Sequence, residues 1–255
     1  MRNLKLTLAY DGTNYCGWQI QPDQPTVQSE LEQALQQVTG TFIRVAGSSR
    51  TDSGVHAIGQ VVSLRADTRL TAAELGRALN ATLPADIRVV GAEEKGDDFH
   101  ALKSTRSKRY RYTIDNGRVR DPFSRQYAWH IPRPLDVEAM ARAGQTLIGT
   151  HDFSSFETTG APRDSSVRTV TDLTIERGIE HAQGQGMERQ KIILEIQANG
   201  FLYNMVRAIT GTLVEVGKGA QSESWPAEVL AAQDRAKAGP TAPPEGLVLL
   251  WVHYE

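Results

Sequence analysis

The chain lacks the features that mark secreted, membrane-spanning or disulfide-rich proteins. Cys16 is the only cysteine among its 255 residues, so no internal disulfide is possible. No apolar run approaches the length that spans a bilayer, and the N-terminus leads straight into an alternating strand without a secretory signal. These absences predict a cytoplasmic protein that makes no use of a membrane.

Signatures of common cofactor and metal sites are also missing. The six histidines are scattered without His-x-His or His-x-x-x-His spacing, and no set of cysteines accompanies them. There is no Walker A run, no dinucleotide glycine pattern and no Gly-x-Ser-x-Gly elbow. We therefore expect no metal, whereas a Ser-His-Asp triad assembled from distant residues stays open at this point.

Charge is unevenly distributed, although the formal net charge is only −2. Between Lys103 and Arg125 the chain carries eight basic residues against Asp115 and Asp121. A locally basic surface on a mildly acidic protein is typical of a specific site for a polyanion. A solvated charged face is the alternative, and it is the commoner meaning of a run of charges.

Hydrophobic periodicity predicts the same order of elements, β-α-β-β-α-β, in both halves of the chain. In the first half we expect helices after the N-caps Thr26 and Thr71, and strands over residues 4–10, 42–46, 59–64 and 87–92. In the second half we expect helices over residues 135–148 and 201–216 and near Trp225, and strands over residues 108–114, 167–175, 191–198 and 247–253. The polar segment 178–188 is predicted to be a hairpin loop.

This order indicates an α+β fold of two ferredoxin-like halves with mainly antiparallel sheets. We place the N-terminal domain at residues 1–103 and the C-terminal domain at residues 104–255. Two such halves are expected to leave a central cleft between them, which is a favoured place for a ligand.

A turn between two short apolar runs carries the sequence RTDSGVHA at residues 50–57. Asp, Ser and Gly are turn formers, and a loop held by rigid strands is a usual place for a catalytic side chain. A lone aspartate in a turn is nevertheless more often a local cap than a catalyst. The turn by itself therefore marks Asp52 as a candidate only.

The run closely resembles the catalytic loop of tRNA pseudouridine synthases of the TruA family, which usually reads RTDAGVHA. Here Ser53 stands where alanine is usual. The basic strand around Tyr110 resembles the second motif of the family, and residues 199–207 resemble the third. Residues 10–21 and 99–101 also match family runs, with Leu102 at a position where arginine is frequent.

The resemblance implies a pseudouridine synthase fold and an enzyme that isomerises uridines 38, 39 and 40 in the anticodon arm of tRNA to pseudouridine. It further implies a homodimer bridged by tRNA, with neither cofactor nor metal. It assigns catalytic roles to Asp52, Tyr110 and Arg207. Asp52 acts as nucleophile or base, Tyr110 stacks on the target base, and Arg207 pairs with Asp52.

RNA contacts are expected for a second group of side chains. Arg50 suits a phosphate or the space left by an extruded base, with a local salt bridge as the alternative. A neutral His56 imidazole that donates to a local backbone group is at least as good an explanation as a substrate contact. The predicted contacts, beyond Tyr110, are Arg50, His56, Gln19, Gln21, Lys103, Arg109 and Arg168.

Two other functions stay open. A non-catalytic RNA-binding protein would use the basic strand but would have no need of Asp52. A nucleoside or sugar hydrolase would pair Asp52 with a second acid, such as Asp11 or Asp152, because that chemistry usually needs two carboxylates.

Overall fold

The computed structural model describes residues 1–158, 165–181 and 188–254, and it confirms the α+β class. The chain divides into two compact units. The first unit holds residues 1–108 together with the chain from Val248 onward, and the second holds residues 109–247.

Ten strands and five α-helices are present in the described part of the chain. The strands are β1 Arg2–Tyr10, β2 Ala46–Gly47, β3 His56–Ala66, β4 Ile87–Lys95, β5 Ser107–Asp115, β6 Trp129–His130, β7 Gly149–Asp152, β8 Val167–His181, β9 Glu188–Ala198 and β10 Leu247–His253. The helices are α1 Val27–Thr39, α2 Ala72–Thr82, α3 Val137–Gln145, α4 Met205–Gly217 and α5 Trp225–Ala232. None of these helices is both long and apolar enough to cross a bilayer.

The two helices of the first unit begin and end where local chemistry predicts. The Thr26 side chain accepts from the backbone N–H of Ser29, and Gly40 ends α1 in the left-handed conformation with φ 73°. Thr71 and Glu74 form the predicted capping box at the start of α2. Both helix predictions are confirmed because caps depend on residues only three positions apart.

The sheet of the first unit has the strand order β4-β1-β3, with antiparallel pairing throughout. β1 alternates as predicted, and its leucines Leu4, Leu6 and Leu8 are fully buried. The other edge of β3 carries β2 in antiparallel pairing and β10 in parallel pairing at His56 and Ala57.

The strand expected over residues 42–46 was mostly wrong, because only Ala46 of that range pairs as a strand. Ile43 and Val45 are buried although they pair with no strand. The alternating apolar pattern therefore arose from burial of every second side chain in an irregular segment.

The second unit has the strand order β5-β9-β8-β7, with β6 pairing in parallel with β5. β8 and β9 pair from Val170 opposite Ala198 to His181 opposite Glu188. Residues 178–181 and 188 of the predicted hairpin loop therefore belong to strands, and residues 182–187 lie outside the described residues. The short strands β6 and β7 were not predicted, since two to four residues carry too little periodicity.

α4 begins at Met205, four residues later than expected, because Asn204 adopts a left-handed backbone with φ 61°. The helix itself is confirmed, and its apolar residues Val206, Ile209 and Leu213 are all buried. α3 is also shorter than expected, since it spans only Val137–Gln145.

Candidate active site

The Asp52 turn is fixed through its backbone by the loop that follows β1. The N–H of Trp18 donates to the carbonyl of Thr51 over 3.0 Å, and the N–H of Val55 donates to the carbonyl of Asp52 over 3.1 Å. The hydroxyls of Tyr10 and Thr51 lie 2.7 Å apart and are buried. Asp52 itself is half-buried, so its carboxylate sits on a rigid frame at the edge of the core.

Two glycines allow this loop to lie directly against the turn. Gly17 has φ 90°, and a Cβ there would be 2.6 Å from the carbonyl oxygen of Thr51. A Cβ on Gly12 would be 2.0 Å from the carbonyl oxygen of Val55. Only glycine permits such close backbone approach, so residues 10–21 and the Asp52 turn pack together through their backbones.

Ser53, which replaces the usual alanine, adds a further contact to the same loop. Its hydroxyl donates to the carbonyl of Tyr15 over 3.2 Å, and the N–H of Gly54 donates to that oxygen over 3.3 Å. The Tyr15 hydroxyl in turn donates to Asp86 over 2.6 Å. Burial first, and then the Asp86 carboxylate, raise the pKa of Tyr15, so this phenol stays protonated as a donor.

His56 is buried beneath the turn, and two of its neighbours make opposite demands on Nδ1. The N–H of Gly12 lies 3.0 Å from Nδ1, while Asp11 Oδ1 lies 3.1 Å from it. A backbone N–H can only donate, and Asp11 Oδ1 already accepts from the N–H of Thr13 over 3.0 Å. We therefore assign Nδ1 as the acceptor, with the ring proton on Nε2.

The predicted RNA contacts of the first unit are exposed, except for the buried His56. Arg50 makes no hydrogen bond or ion pair with any residue that the structure describes, which leaves its guanidinium available. Gln19 donates to Gln28 over 3.0 Å, and Gln21 donates to the carbonyl of Cys16 over 2.7 Å, so both amides already have a local role.

Lys103 lines a surface cavity of about 620 Å³ together with Phe42, Arg44, Arg65 and His100. Asp52, Arg50 and His56 are not among the lining residues of this cavity. Lys103 therefore belongs to a different part of the first unit's surface from the Asp52 turn.

A buried amide that sequence reasoning missed supports the segment leading into the turn. Gln60 on β3 is fully buried, donates to the carbonyl of Ser49 over 2.7 Å and accepts from the hydroxyl of Ser48 over 2.7 Å. Lys108 donates to the carbonyl of Ser48 over 2.5 Å. These bonds join residues at least eleven positions apart, so no local sequence signal announces them.

β5 presents its tyrosines and its arginines to opposite faces, since side chains alternate along a strand. Tyr110 is 7% exposed and meets the Phe201 ring edge-on, with the centroids 5.0 Å apart. Tyr112 is fully buried and belongs to the core, and its hydroxyl donates to the carbonyl of Pro243 over 2.7 Å. Burial raises the pKa of Tyr112, so its hydroxyl stays a donor.

The arginines on the other face of β5 are held by carboxylates. Arg109 donates to Glu195 and to Asp172, each over 2.6 Å, and Arg111 donates to Glu195 over 2.6 Å. Burial alone would lower the pKa of Arg109, but these two acids outweigh it and raise that pKa. Burial likewise acts to raise the pKa of Glu195, and the two arginines lower it instead. The predicted RNA contact of Arg109 would have to compete with this network.

Arg207 lies in the first turn of α4, and its guanidinium is oriented by two acceptors. Nε donates to the carbonyl of Ala242 over 2.7 Å, and Nη1 donates to Asn204 Oδ1 over 2.7 Å. The carbonyl of Arg207 accepts from the N–H of Ala242 over 3.1 Å. The side chain is half-buried, and these hydrogen bonds fix the orientation of its planar guanidinium.

Arg168, at the start of β8, donates to the carbonyls of Ser165 over 3.0 Å and Val167 over 2.7 Å. Gly200 lies against this side chain, since a Cβ there would be 3.5 Å from Arg168 Nε. Arg168 is thus beside the start of the 199–207 run.

The candidates fall into two groups, one in each unit. Asp52, Arg50 and His56 belong with the loop of Gln19 and Gln21 in the first unit, and the second unit holds Tyr110, Arg109, Arg168 and Arg207. The pairing of Arg207 with Asp52 stays a prediction.

Comparison with known proteins finds one family along most of the chain. The sequence model of a family described as tRNA pseudouridine synthase matches residues 7–102 and 143–255. Asp52, Arg168 and Arg207 lie inside the matched segments, whereas Tyr110 and Arg109 lie in the gap between them.

Named relatives extend the similarity over the full length. The chain is 48% identical over 254 residues to "tRNA pseudouridine synthase A" of Thermoanaerobacter sp. (strain X514), covering 100% of both chains. It is 45% identical over 254 residues to a relative of the same name from Myxococcus xanthus, covering 100% of this chain and 92% of the relative. With a matched family and full-length relatives, the chain belongs to the tRNA pseudouridine synthase family.

Proposed function

We propose that this chain converts uridines 38, 39 and 40 in the anticodon arm of tRNA to pseudouridine, with Asp52 at the centre of the chemistry. As a member of its family, the chain is an RNA isomerase that forms pseudouridine from uridine. The observation that best supports Asp52 is the frame around it. Backbone hydrogen bonds fix its turn, and two glycines let the neighbouring loop pack directly against it. Such a rigid backbone preorganises a reactive side chain.

The reaction breaks the N1–C1′ bond of uridine, turns the detached ring and joins C5 to C1′. The proton on C5 leaves to solvent and N1 gains a proton, so no redox change takes place and no cofactor is required. The ionised Asp52 carboxylate starts the reaction, either by attacking C1′ or by removing a proton from C2′. The target nucleotide has to leave the base stack before C1′ can be reached.

In the proposed site, Tyr110 supports the extruded ring and Arg207 orients Asp52. The ring of Tyr110 is already fixed edge-on by Phe201, and the guanidinium of Arg207 is already aimed by Asn204 and Ala242. A cation beside Asp52 would favour its ionised form. We propose a homodimer in the cytoplasm, with tRNA bridging the two subunits.

Tyr110 is tested with two replacements. Tyr110→Leu removes the ring, and we expect turnover to fall on the order of 10²-fold, since a mispositioned base reacts slowly. Tyr110→Phe keeps the ring and removes only the hydroxyl. In a single-turnover assay, the difference between this variant and the wild type measures the contribution of the hydroxyl, and the difference between the two variants measures that of the ring. Normal turnover by the leucine variant would remove Tyr110 from the site.

RNA contacts are proposed for Arg50, His56, Gln19, Gln21, Lys103, Arg109 and Arg168. Arg50 has the best support, because it is exposed and has no partner among the described residues. An unpaired arginine beside the catalytic turn suits a phosphate of the bound anticodon arm. Arg109 has the least support, because Glu195 and Asp172 already hold it.

The hydrolase alternative is less well supported. Asp11, one of its candidate partner acids, accepts from the N–H and the hydroxyl of Thr13, which is the geometry of a local turn. A hydrolase would release free uracil, so analysis of the products distinguishes the two reactions.

The test uses tRNA labelled with tritium at C5 of its uridines and compares the wild type with Asp52→Asn. Asparagine keeps the shape and turn preference of aspartate, so tRNA affinity is expected to stay within a few-fold. We expect tritium release by the wild type and a fall on the order of 10³-fold or more in the variant. Substantial release by Asp52→Asn would contradict the role of Asp52, and binding without release by either protein would favour an RNA-binding function.

The proposed positions are tested separately with tRNAs in which uridine 38, 39 or 40 is replaced by cytidine. Each replacement is expected to remove the pseudouridine at that position and leave the other two. Pseudouridine that persists only outside the anticodon arm would show a different target.

A further inference from the structure

The segment between β5 and β6 is a loop whose charge is entirely positive on its exposed side. We name residues 116–128 the arginine loop. Its charged residues are Arg118, Arg120 and Arg125, which are exposed, and Asp121, which is 7% exposed.

The acids at this loop are occupied with its backbone. Asp115, at the end of β5, accepts from the N–H groups of Gly117 and Asp121, each over 3.2 Å. Asp121 accepts from the N–H of Phe123 over 3.0 Å. The carboxylates therefore shape the loop from inside, where they cap backbone donors.

The three arginines have no acidic partner among the side chains that the structure describes. Arg120 donates to the carbonyl of Arg125 over 3.2 Å, and Arg125 donates to the carbonyl of Pro122 over 2.6 Å. None of the three makes an ion pair with any residue within the described ranges. Arg109 and Arg111, by contrast, share Glu195. Within the basic stretch 103–125, the loop thus carries charge that no described acid compensates.

The same loop exposes an aromatic ring and an aliphatic side chain. Phe123 and Val119 are each 82% exposed, which is unusual for large apolar residues. Arginines interleaved with an exposed ring are the chemistry that binds RNA, since phosphates meet guanidinium groups and unstacked bases lie on rings.

Hydrogen bonds tie the start of the loop to the chain that follows it. Asn116 donates to the carbonyls of Ile131 and Arg133, each over 2.8 Å, and His130 Nε2 lies 2.9 Å from the carbonyl of Gly117. β6 then pairs with Ile114 and Asp115 of β5. A preorganised loop loses little conformational entropy on binding, so ordering it offsets little of the binding free energy that its charges contribute.

We propose that the arginine loop is a tRNA-binding surface in which Arg118, Arg120 and Arg125 contact phosphates and the Phe123 ring packs on an unstacked base. The proposal rests on the proposed function only in taking tRNA as the ligand. It assigns affinity for tRNA to a part of the chain that lies outside the residues matched by the family model.

The test measures binding of an unmodified tRNA transcript by the full-length protein at several salt concentrations. The variant Arg118→Gln/Arg120→Gln/Arg125→Gln is compared with Arg69→Gln/Arg77→Gln/Lys237→Gln, which removes the same charge from exposed sites elsewhere. Each lost phosphate contact lowers the slope of log affinity against log salt by about 0.7–0.9, so the loop variant should lose about 2 units of slope. We expect affinity to fall at least about tenfold and the control to match the wild type.

Phe123 is tested by replacement with leucine and with tyrosine. Stacking of one base on a ring corresponds to about fivefold or more in affinity, so Phe123→Leu should weaken binding by that factor without changing the salt slope. Phe123→Tyr keeps a ring and should restore most of the affinity, which simple loss of loop structure would not allow.

Several outcomes would overturn the proposal. Equal losses in the loop variant and the charge-matched control would show a general effect of net charge. An unchanged slope in the loop variant would exclude phosphate contacts. Unchanged tRNA affinity together with a changed oligomeric state would assign the loop to contact between copies of the chain. Because binding is measured without turnover, the test stands even if the wild type proves inactive on tRNA.

Discussion

The Asp52 turn and the start of α4 hold their candidate catalytic groups in opposite ways. In the turn, the backbone is fixed, through the Trp18 N–H and the close approach of Gly17. At the start of α4, the side chain is fixed, since the Arg207 guanidinium donates to Asn204 and Ala242. A short side chain such as aspartate is positioned once its backbone is, whereas a long arginine needs acceptors near its charged end.

This difference predicts that damage to the backbone matters most at the turn. Gly17→Ala places a Cβ 2.6 Å from the carbonyl of Thr51 in a backbone with φ 90°. We expect a loss of about 3 kcal/mol in the free energy of unfolding, and a fall on the order of 10²-fold in turnover through displacement of Asp52. Chemical denaturation and single-turnover assays would measure the two effects.

Gly40→Ala is the matched control for Gly17→Ala. Gly40 also has a left-handed backbone, with φ 73°, but a Cβ there meets nothing within 4 Å. It should lose only about 1 kcal/mol and keep its turnover. Equal effects of the two substitutions would show that conformational strain, and not contact with Thr51, dominates at Gly17.

At α4 the sensitive element is the side chain. Arg207→Lys keeps the charge but cannot reproduce the two directed hydrogen bonds of the guanidinium. We expect turnover to fall about 10- to 100-fold, corresponding to loss of charge-assisted hydrogen bonds, with little change in tRNA affinity. Turnover near the wild-type level would mean that only the charge of Arg207 matters.

Asn204→Gly sharpens this prediction, because glycine keeps the left-handed backbone and removes the acceptor for Arg207, together with the bond that Asn204 Nδ2 donates to the Thr158 hydroxyl over 3.0 Å. An effect smaller than that of Arg207→Lys is expected, since the bond to Ala242 remains.

Replacement of Gln60 tests whether its hydrogen bonds to Ser48 and Ser49, which precede the Asp52 turn, affect turnover. Gln60→Leu leaves the carbonyl of Ser49 and the hydroxyl of Ser48 without their buried partner. We expect a loss of about 2–4 kcal/mol in stability and about a tenfold fall in kcat, with KM nearly unchanged. Gln60→Glu keeps the acceptor for Ser48, so it should recover part of kcat; equal effects in kcat and KM would assign Gln60 to folding alone.

The smallest effect is expected for the hydroxyl of the second tyrosine on β5. Tyr112→Phe removes the buried bond to Pro243 and should lower the free energy of unfolding by about 1 kcal/mol, without changing turnover. Thermal denaturation would measure the change. A lower rate in this variant would indicate that the Tyr112 hydroxyl contributes to catalysis as well as to the core.

Much of the fold could be predicted because it depends on neighbouring residues. The caps of α1 and α2 and the alternation of β1 are local, and all were found in the structure. Failures arose where packing decided. Alternation over residues 42–46 was taken for a strand, and the start of α4 moved to Met205 because of the backbone of Asn204.

The sequence by itself determined the order of the long helices and strands, the opposite faces of β5 and the family to which the Asp52 turn belongs, since each depends on residues a few positions apart. Tertiary structure alone decided which basic residues are neutralised. Arg109 meets Asp172 and Glu195 from strands more than sixty positions away, whereas the arginines at 118, 120 and 125 meet no acid among the described residues. The hydrogen bonds of Gln60 with Ser48 and Ser49 could likewise not be predicted from the sequence, because bonds between distant residues form only when the chain has folded.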